Sequence, residues 1–301
     1  MLNNKFTGAA CGIISAVTYG MNPLFGLPLY ARGFTTCSVL FYRFLFAMFL
    51  LGAAMLIKKE SFALKKQHLL PLISGSIMLA LSCLFLFLAF HHIDAGIAAT
   101  ILFVYPAMVG AIMLFGFRVR QSLPTLIGMI LAVGGIALLS LGGGSGKFSI
   151  PGLIYVLLSA LTYAVYMVQV KVTCLKELPA LTLTFYAICI GLPLFFAASG
   201  FGRNLQMIPD WFSLGCLSGL ALCPSLLSFL LMAVAIRHIG PTKTAILGAL
   251  EPVTALFFGI TIFGESLTFQ QIAGVAVILF SVILVVIGGN PSPGKKVCSG
   301  Q

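Results

Sequence analysis

Ser15-Ala16-Val17-Thr18-Tyr19 returns 144 residues later as Ser159-Ala160-Leu161-Thr162-Tyr163, and the same shift sets Gly8 on Gly152. A shift of 146 carries the correspondence through the rest of the chain without a gap. It sets Leu81, Ser82 and Leu84 on Leu227, Ser228 and Leu230, His92-Ile93 on His238-Ile239, Ala99 on Ala245, Pro106 on Pro252, and Gly128 on Gly274. Self-similarity at one fixed period marks an internal duplication. What each copy builds follows from composition and charge.

The 301 residues are 60% hydrophobic and only 8% charged, with a mean hydropathy of +1.13. A soluble domain carries roughly 25% charged residues, so the chain lacks the polar material to cover a water-facing surface and reads as a membrane protein. A spanning helix needs about 20 apolar residues. Runs bounded by Gly, Pro and charge give ten candidate spans, at 7–29, 35–57, 69–90, 95–116, 123–141, 150–170, 180–199, 211–235, 241–263 and 268–288. The first run follows Lys5 but continues without a small-residue cleavage pattern, so it is expected as a retained helix rather than a signal peptide. The remaining segments are too short for a soluble catalytic or nucleic-acid-binding domain.

Basic residues set the orientation, because Lys and Arg concentrate in cytoplasmic loops. With the N-terminus inside, Lys5, Lys58, Lys59, Lys65, Lys66, Arg118, Arg120, Lys171, Lys176, Arg237, Lys243, Lys295 and Lys296 fall on the cytoplasmic side, and only Arg32, Lys147 and Arg203 outside. Both termini are therefore expected in the cytoplasm, and the net charge of +11 encodes topology rather than affinity for nucleic acid. The expected fold is an all-α integral membrane protein of ten transmembrane helices. Residues 1–142 form the first five-helix repeat, 143–149 a glycine-rich linker, 150–290 the second repeat and 291–301 a cytoplasmic tail. Five spans is an odd number, so the second copy enters the membrane from the opposite side. Such inverted repeats can build a central site that opens first to one side and then to the other.

Arg43-Phe44 in the second span, Glu251-Pro252 in the ninth, and Phe263-Gly264-Glu265 followed by Gly274 across the last hairpin resemble the EamA-type branch of the drug/metabolite transporter superfamily. The resemblance covers nearly the whole chain as two five-helix units. It departs in the first half, where Val119, flanked by Arg118 and Arg120, stands in place of Glu265. What the resemblance implies is a ten-helix carrier of amino acids, other metabolites or drugs, with the first four helices of each unit around the cavity and no cofactor.

Glu251 lies ten residues into its span, roughly 15 Å deep at 1.5 Å per residue and so near the bilayer midplane. A carboxylate there costs a few kcal/mol unless it is protonated, hydrated or paired. Two readings stand side by side: a proton-exchanging group in an alternating cavity, or a structural acid hydrogen-bonded at the break made by Pro252. Arg43, roughly 12 Å from the outer end of its span, can pair with Glu251, hold an anionic group of substrate, or snorkel to the interface. Tyr19 and Tyr163 occupy equivalent places in the two repeats, with Asn22, Tyr166 and Gln169 further along the same helices. These five are expected to face the protein interior, although for each tyrosine core packing or the interfacial aromatic belt is the favoured account. Tyr105 is the repeat mate of Glu251. Pro23, Pro106, Pro224 and Pro252 are the expected helix breaks, since each removes a backbone donor. His91, His92 and Asp94 read as an interfacial cluster. The eight cysteines show neither disulfide nor zinc spacing, and no metal is expected.

The function expected is secondary active transport by alternating access. It exports or exchanges a small metabolite such as an amino acid or an amphipathic drug-like compound, with protons as the coupling ion, as a monomer or homodimer in the cell inner membrane. A structural or sensor protein without flux is the alternative. An intramembrane enzyme is disfavoured, because no G-x-S-x-G, H-E-x-x-H or paired-aspartate constellation occurs.

Overall fold

The computed structural model describes residues 2–118, 121–141, 149–239 and 247–288. The glycine-rich stretch Gly142–Gly146, the start of the ninth span with Lys243 and Ala245, Val119, Arg120, and the tail from 289 lie outside the described residues. Among those described there is no strand. Seven helices are long and apolar enough to cross a membrane, and three shorter apolar helices accompany them at Leu123–Leu138, Leu250–Phe263 and Phe269–Leu284.

In chain order the helices are α1 Leu2–Gly20, α2 Asn22–Ala31, α3 Thr36–Ile57, α4 Lys66–Ala89, α5 Ala95–Leu102, α6 Tyr105–Phe115, α7 Leu123–Leu141, α8 Ile150–Val172, α9 Ala180–Ala198, α10 Trp211–Leu220, α11 Ser228–Ile239, α12 Leu250–Phe263 and α13 Phe269–Gly288. The seven residues Ala221–Leu227 between α10 and α11 form a π-turn. Hydroxyl and carboxylate caps start several helices, satisfying amides that have no intrahelical partner. Thr35 accepts from Ser38 N at α3, Ser149 from Gly152 N at α8, and Asp210 from Ser213 N at α10.

The helices pack in pairs that cross between the two halves of the chain. α1 lies on α11 and α8 on α4; α3 meets α9, α5 meets α12, and α7 meets α13. Four buried serines lock the first two pairs in the same way. Ser15 Oγ donates to Ser228 O at 2.7 Å, and Ser159 Oγ donates to Ser82 O at 2.8 Å. These are the residues that the two shifts set on one another, so the sequence correspondence is a correspondence of contacts. Large apolar side chains such as Phe49, Leu56, Ile130 and Phe280 stand exposed on the flanks, as a lipid-facing surface requires.

Polar contacts close one end of the bundle. Arg32 pairs with Asp210. Gln206 accepts from Thr35 N and donates to Gly33 O, each at 2.6 Å, while its own carbonyl accepts from Tyr42 Oη. His91 stacks on Tyr30 with ring centroids 4.2 Å apart and shares a hydrogen bond with Thr36. At the opposite end Tyr186 Oη donates to Phe62 O and Thr182 to Glu60.

Candidate functional site

Three membrane helices are interrupted in mid-course at or beside a proline, and a fourth run has the same break at the edge of its described residues. The first parts at Met21, with Pro23 in the opening turn of α2. Another parts at Phe103–Val104, with Pro106 in the opening turn of α6. Pro224 sits within the π-turn, and Gly248-Ala249 precede Pro252 in the opening turn of α12. Proline donates no N–H and crowds the carbonyl four residues earlier, and its fixed φ suits the first turn of a new helix. By contrast Pro28 and Pro193 lie inside continuous helices.

Two of the carbonyls that lose their i+4 donor to a proline accept from the neighbouring side chain. Pro23 cannot serve Tyr19 O, and Asn22 Nδ2 donates to it at 2.8 Å. Pro224 cannot serve Leu220 O; the π-turn sets Ser225 on it instead, and Ser225 Oγ donates to it at 3.0 Å. The oxygens of these same side chains then converge on one cation. Arg43 Nη1 donates to Asn22 Oδ1 at 2.8 Å and Nε to Ser225 Oγ at 3.1 Å, with the Phe87 ring 5.5 Å from the guanidinium. Arg43 is 3% exposed. It makes no ion pair with Glu251, so the pairing open to it from depth alone does not form.

Glu251 faces a cavity of about 20 Å³ lined by Tyr19, Gly20, Asn22, Pro23, Leu86, Phe90, Ala99, Leu102 and Ala255. That is about the room one water needs, so the site is closed around its polar groups in this conformation. Gly20 brings the α1 break against α12: a Cβ there would stand 2.5 Å from Glu251 O and 2.7 Å from Thr254 Cβ. Tyr105 and Tyr163 meet edge to face with centroids 4.8 Å apart, within electrostatic reach of Tyr19 and Glu251. Tyr166 is 9% exposed and packs with Leu79 and Ala187, while Gln169 lies against Gly75 of α4. The structure thus joins Tyr19, Asn22 and Glu251 at one cavity, sets Arg43 behind Asn22, and puts Tyr105 and Tyr163 beside it. Tyr166 and Gln169 stand off in the α4–α8 contact.

Ser225 was not among the residues singled out from sequence; its signal was a hydroxyl beside a proline in an apolar run. Glu265 has a definite place. Its carboxylate accepts from Ala95 N at 2.7 Å and Gly96 N at 3.1 Å, capping α5 across the chain's two halves. Burial pushes its carboxyl above the usual range, against the pull of those two N–H groups. Gly259 and Gly96 leave room for it: a Cβ at Gly259 would overlap the carboxylate, 2.7 Å from its carbon. Among the described residues no group of three His, Cys, Asp or Glu gathers to hold a metal.

The sequence pattern of the EamA-like transporter family matches twice, over residues 6–141 and 150–287. The chain belongs to the EamA-like transporter family. Relatives of this EamA-like chain include an uncharacterized transporter of Archaeoglobus fulgidus, 29% identical over 65% of this chain and 68% of that one. The uncharacterized inner membrane transporter YedA of Escherichia coli strain K12 is 26% identical over 85% and 83%. The uncharacterized transporter YcbK of Bacillus subtilis strain 168 is 25% identical over 93% and 94%. A protein crystal structure shares the fold with a TM-score of 0.67 at 15% identity, covering 93% of the EamA-like chain and 96% of the other.

Proposed function

We propose that this multi-pass membrane protein is a secondary carrier of ten spans, built as two inverted five-helix repeats (1–142 and 150–290) with both termini in the cytoplasm. It exports or exchanges a small metabolite such as an amino acid or amphipathic compound by alternating access, with protons as the coupling ion, in the inner membrane of a bacterium. The observation that carries the reading is Glu251 on a small central cavity where interrupted helices meet. Discontinuous spans expose backbone and polar groups at membrane depth only where they line a cavity, and an ionisable group so placed marks an ion or substrate pathway. The distribution of Lys and Arg supports the orientation. The relatives named as transporters point to the same activity. The cavity is too small for a metabolite, so the helices have to part for a solute to enter.

Purified protein is screened by ligand-dependent thermal shift across amino acids, nucleosides and cationic drugs, and stabilising compounds are tested for uptake into proteoliposomes with and without a pH gradient. Gradient-stimulated uptake that is lost in Glu251→Gln is expected. Undiminished rate and unchanged gradient dependence in that variant reject the proton coupling, and absence of flux for every stabilising compound rejects the carrier.

A further inference from the structure

Arg43 carries a full charge into the protein interior, and its bonded partners there are neutral. Asn22 Oδ1 and Ser225 Oγ take two of its N–H groups. The guanidinium has five, so three remain for another acceptor. Among the described residues no acidic side chain forms an ion pair with it; Asp210 pairs with Arg32 and Glu177 with His68. Glu251, the one acidic side chain on the cavity, reaches no bond with it. A neutral donor such as glutamine amide would satisfy both oxygens, whereas a buried charge without a counter-charge is strongly destabilising. Satisfying the helix breaks therefore does not account for the charge.

The repeat-related cluster shows that the packing does not need it. The repeat mates of Asn22 and Ser225 are Tyr166 and Leu79, and they meet in an apolar contact with Ala187. Cys189 holds the place of Arg43, and α9 has no charged residue along its whole length. The related helices α8 and α4 run unbroken there. One cluster thus contains a cation that its repeat-related counterpart does without.

We propose that Arg43 is the anion receptor of the central site, and that the solute carries a carboxylate, phosphate or similar anionic group that docks on its free N–H groups beside Asn22. This rests on the carrier reading for the location of the solute and adds its charge class. Guanidinium matches such groups through two parallel charge-assisted bonds. The docked anion supplies the missing counter-charge. Asn22 is the shared wall, since it lines the cavity and holds Nη1.

The test is equilibrium binding to the purified full chain at constant pH, using four probes of one shape: 3-phenylpropionate, 2-phenylethylphosphonate, 3-phenylpropionamide and 3-phenylpropylamine. At least one of the two anions should bind tenfold or more tighter than the amide, and the stronger identifies the anion type. Arg43→Gln should abolish the preference, and Arg43→Lys, which keeps the charge but loses the fork, should weaken it. Equal or tighter binding of the amide or amine overturns the proposal, as does no anion-dependent binding at all, or a preference that survives in Arg43→Gln. Should Arg43→Gln not fold, an unchanged preference in Arg43→Lys overturns it instead. Because binding needs no flux, an anion-selective protein that fails to transport refutes the carrier and leaves the receptor standing. Proton-driven transport confined to cations does the reverse.

Discussion

Gly259→Ala should change sign with its neighbour. A Cβ at 259 falls on the Glu265 carboxylate, 2.7 Å from the carboxyl carbon, and that carboxylate is pinned by the amides of Ala95 and Gly96. Its backbone is pinned as well, since Glu265 N donates to Gly259 O at 2.9 Å. The side chain has to leave, and the start of α5 loses its cap. A capping interaction made by a charged acceptor is worth about 2 kcal/mol. Replacing glycine by alanine inside a helix returns about 1 kcal/mol, so the net loss in the parent protein is about 1 kcal/mol. In a Glu265→Ala background there is nothing to displace, and the same substitution stabilises by about 1 kcal/mol. The coupling between the two sites is then about 2 kcal/mol, within the span measured for touching residues. At roughly 2–4 °C per kcal/mol, Gly259→Ala lowers the melting temperature in one background and raises it in the other. Thermal unfolding in detergent, followed with a thiol-reactive dye on buried cysteines such as Cys216, reads both signs. An equal effect of Gly259→Ala in the two backgrounds refutes the cap.

Gly20→Ala should separate α1 from α12, because the new Cβ meets the Glu251 carbonyl at 2.5 Å and backbone cannot step aside as a side chain can. A cost of about 1–3 kcal/mol and a loss of transport by the folded fraction are expected; parental melting temperature and flux would remove the close contact from the account. Ser15→Ala and Ser159→Ala should cost nearly the same, about 1 kcal/mol each, since their bonds differ by only 0.1 Å. Melting temperatures that place one variant more than about 1 kcal/mol from the other would mean the two contacts are not equivalent.

What could be read from the chain beforehand was whatever depends on one dimension. Span positions follow from apolar runs, and the duplication from a shift. Prolines are visible as residues that donate no N–H, and interruptions lie at or beside Pro23, Pro106, Pro224 and Pro252. The partners of polar groups depend on direction around a helix and on which helices touch. Depth put Arg43 level with Glu251, but azimuth turns it toward Asn22 and Ser225. Glu265 was visible as part of a motif, yet its partners Ala95 and Gly96 lie some 170 residues away and are backbone amides, which carry no side-chain signature. Tyr166 and Gln169 share a helix with Tyr163, and the spacing that suggested one cavity left open where the facing helix would be.

The placement of the breaks bears on how such a carrier would work. In an exact inverted repeat the two open states have equal energy, because the axis exchanges them. Here Pro23 and Pro224 interrupt two helical runs that pack together, while their repeat mates, Met167 and Met78, lie in α8 and α4, which are continuous and also pack together. The axis would thus exchange a pair of broken helices for a pair of whole ones. Equal energies are then no longer required, because the polar cluster of Arg43, Asn22 and Ser225 has Cys189, Tyr166 and Leu79 as its repeat mates. In a carrier of that kind the two prolines would favour one facing state, and a ligand would shift the balance only by its differential affinity for the two.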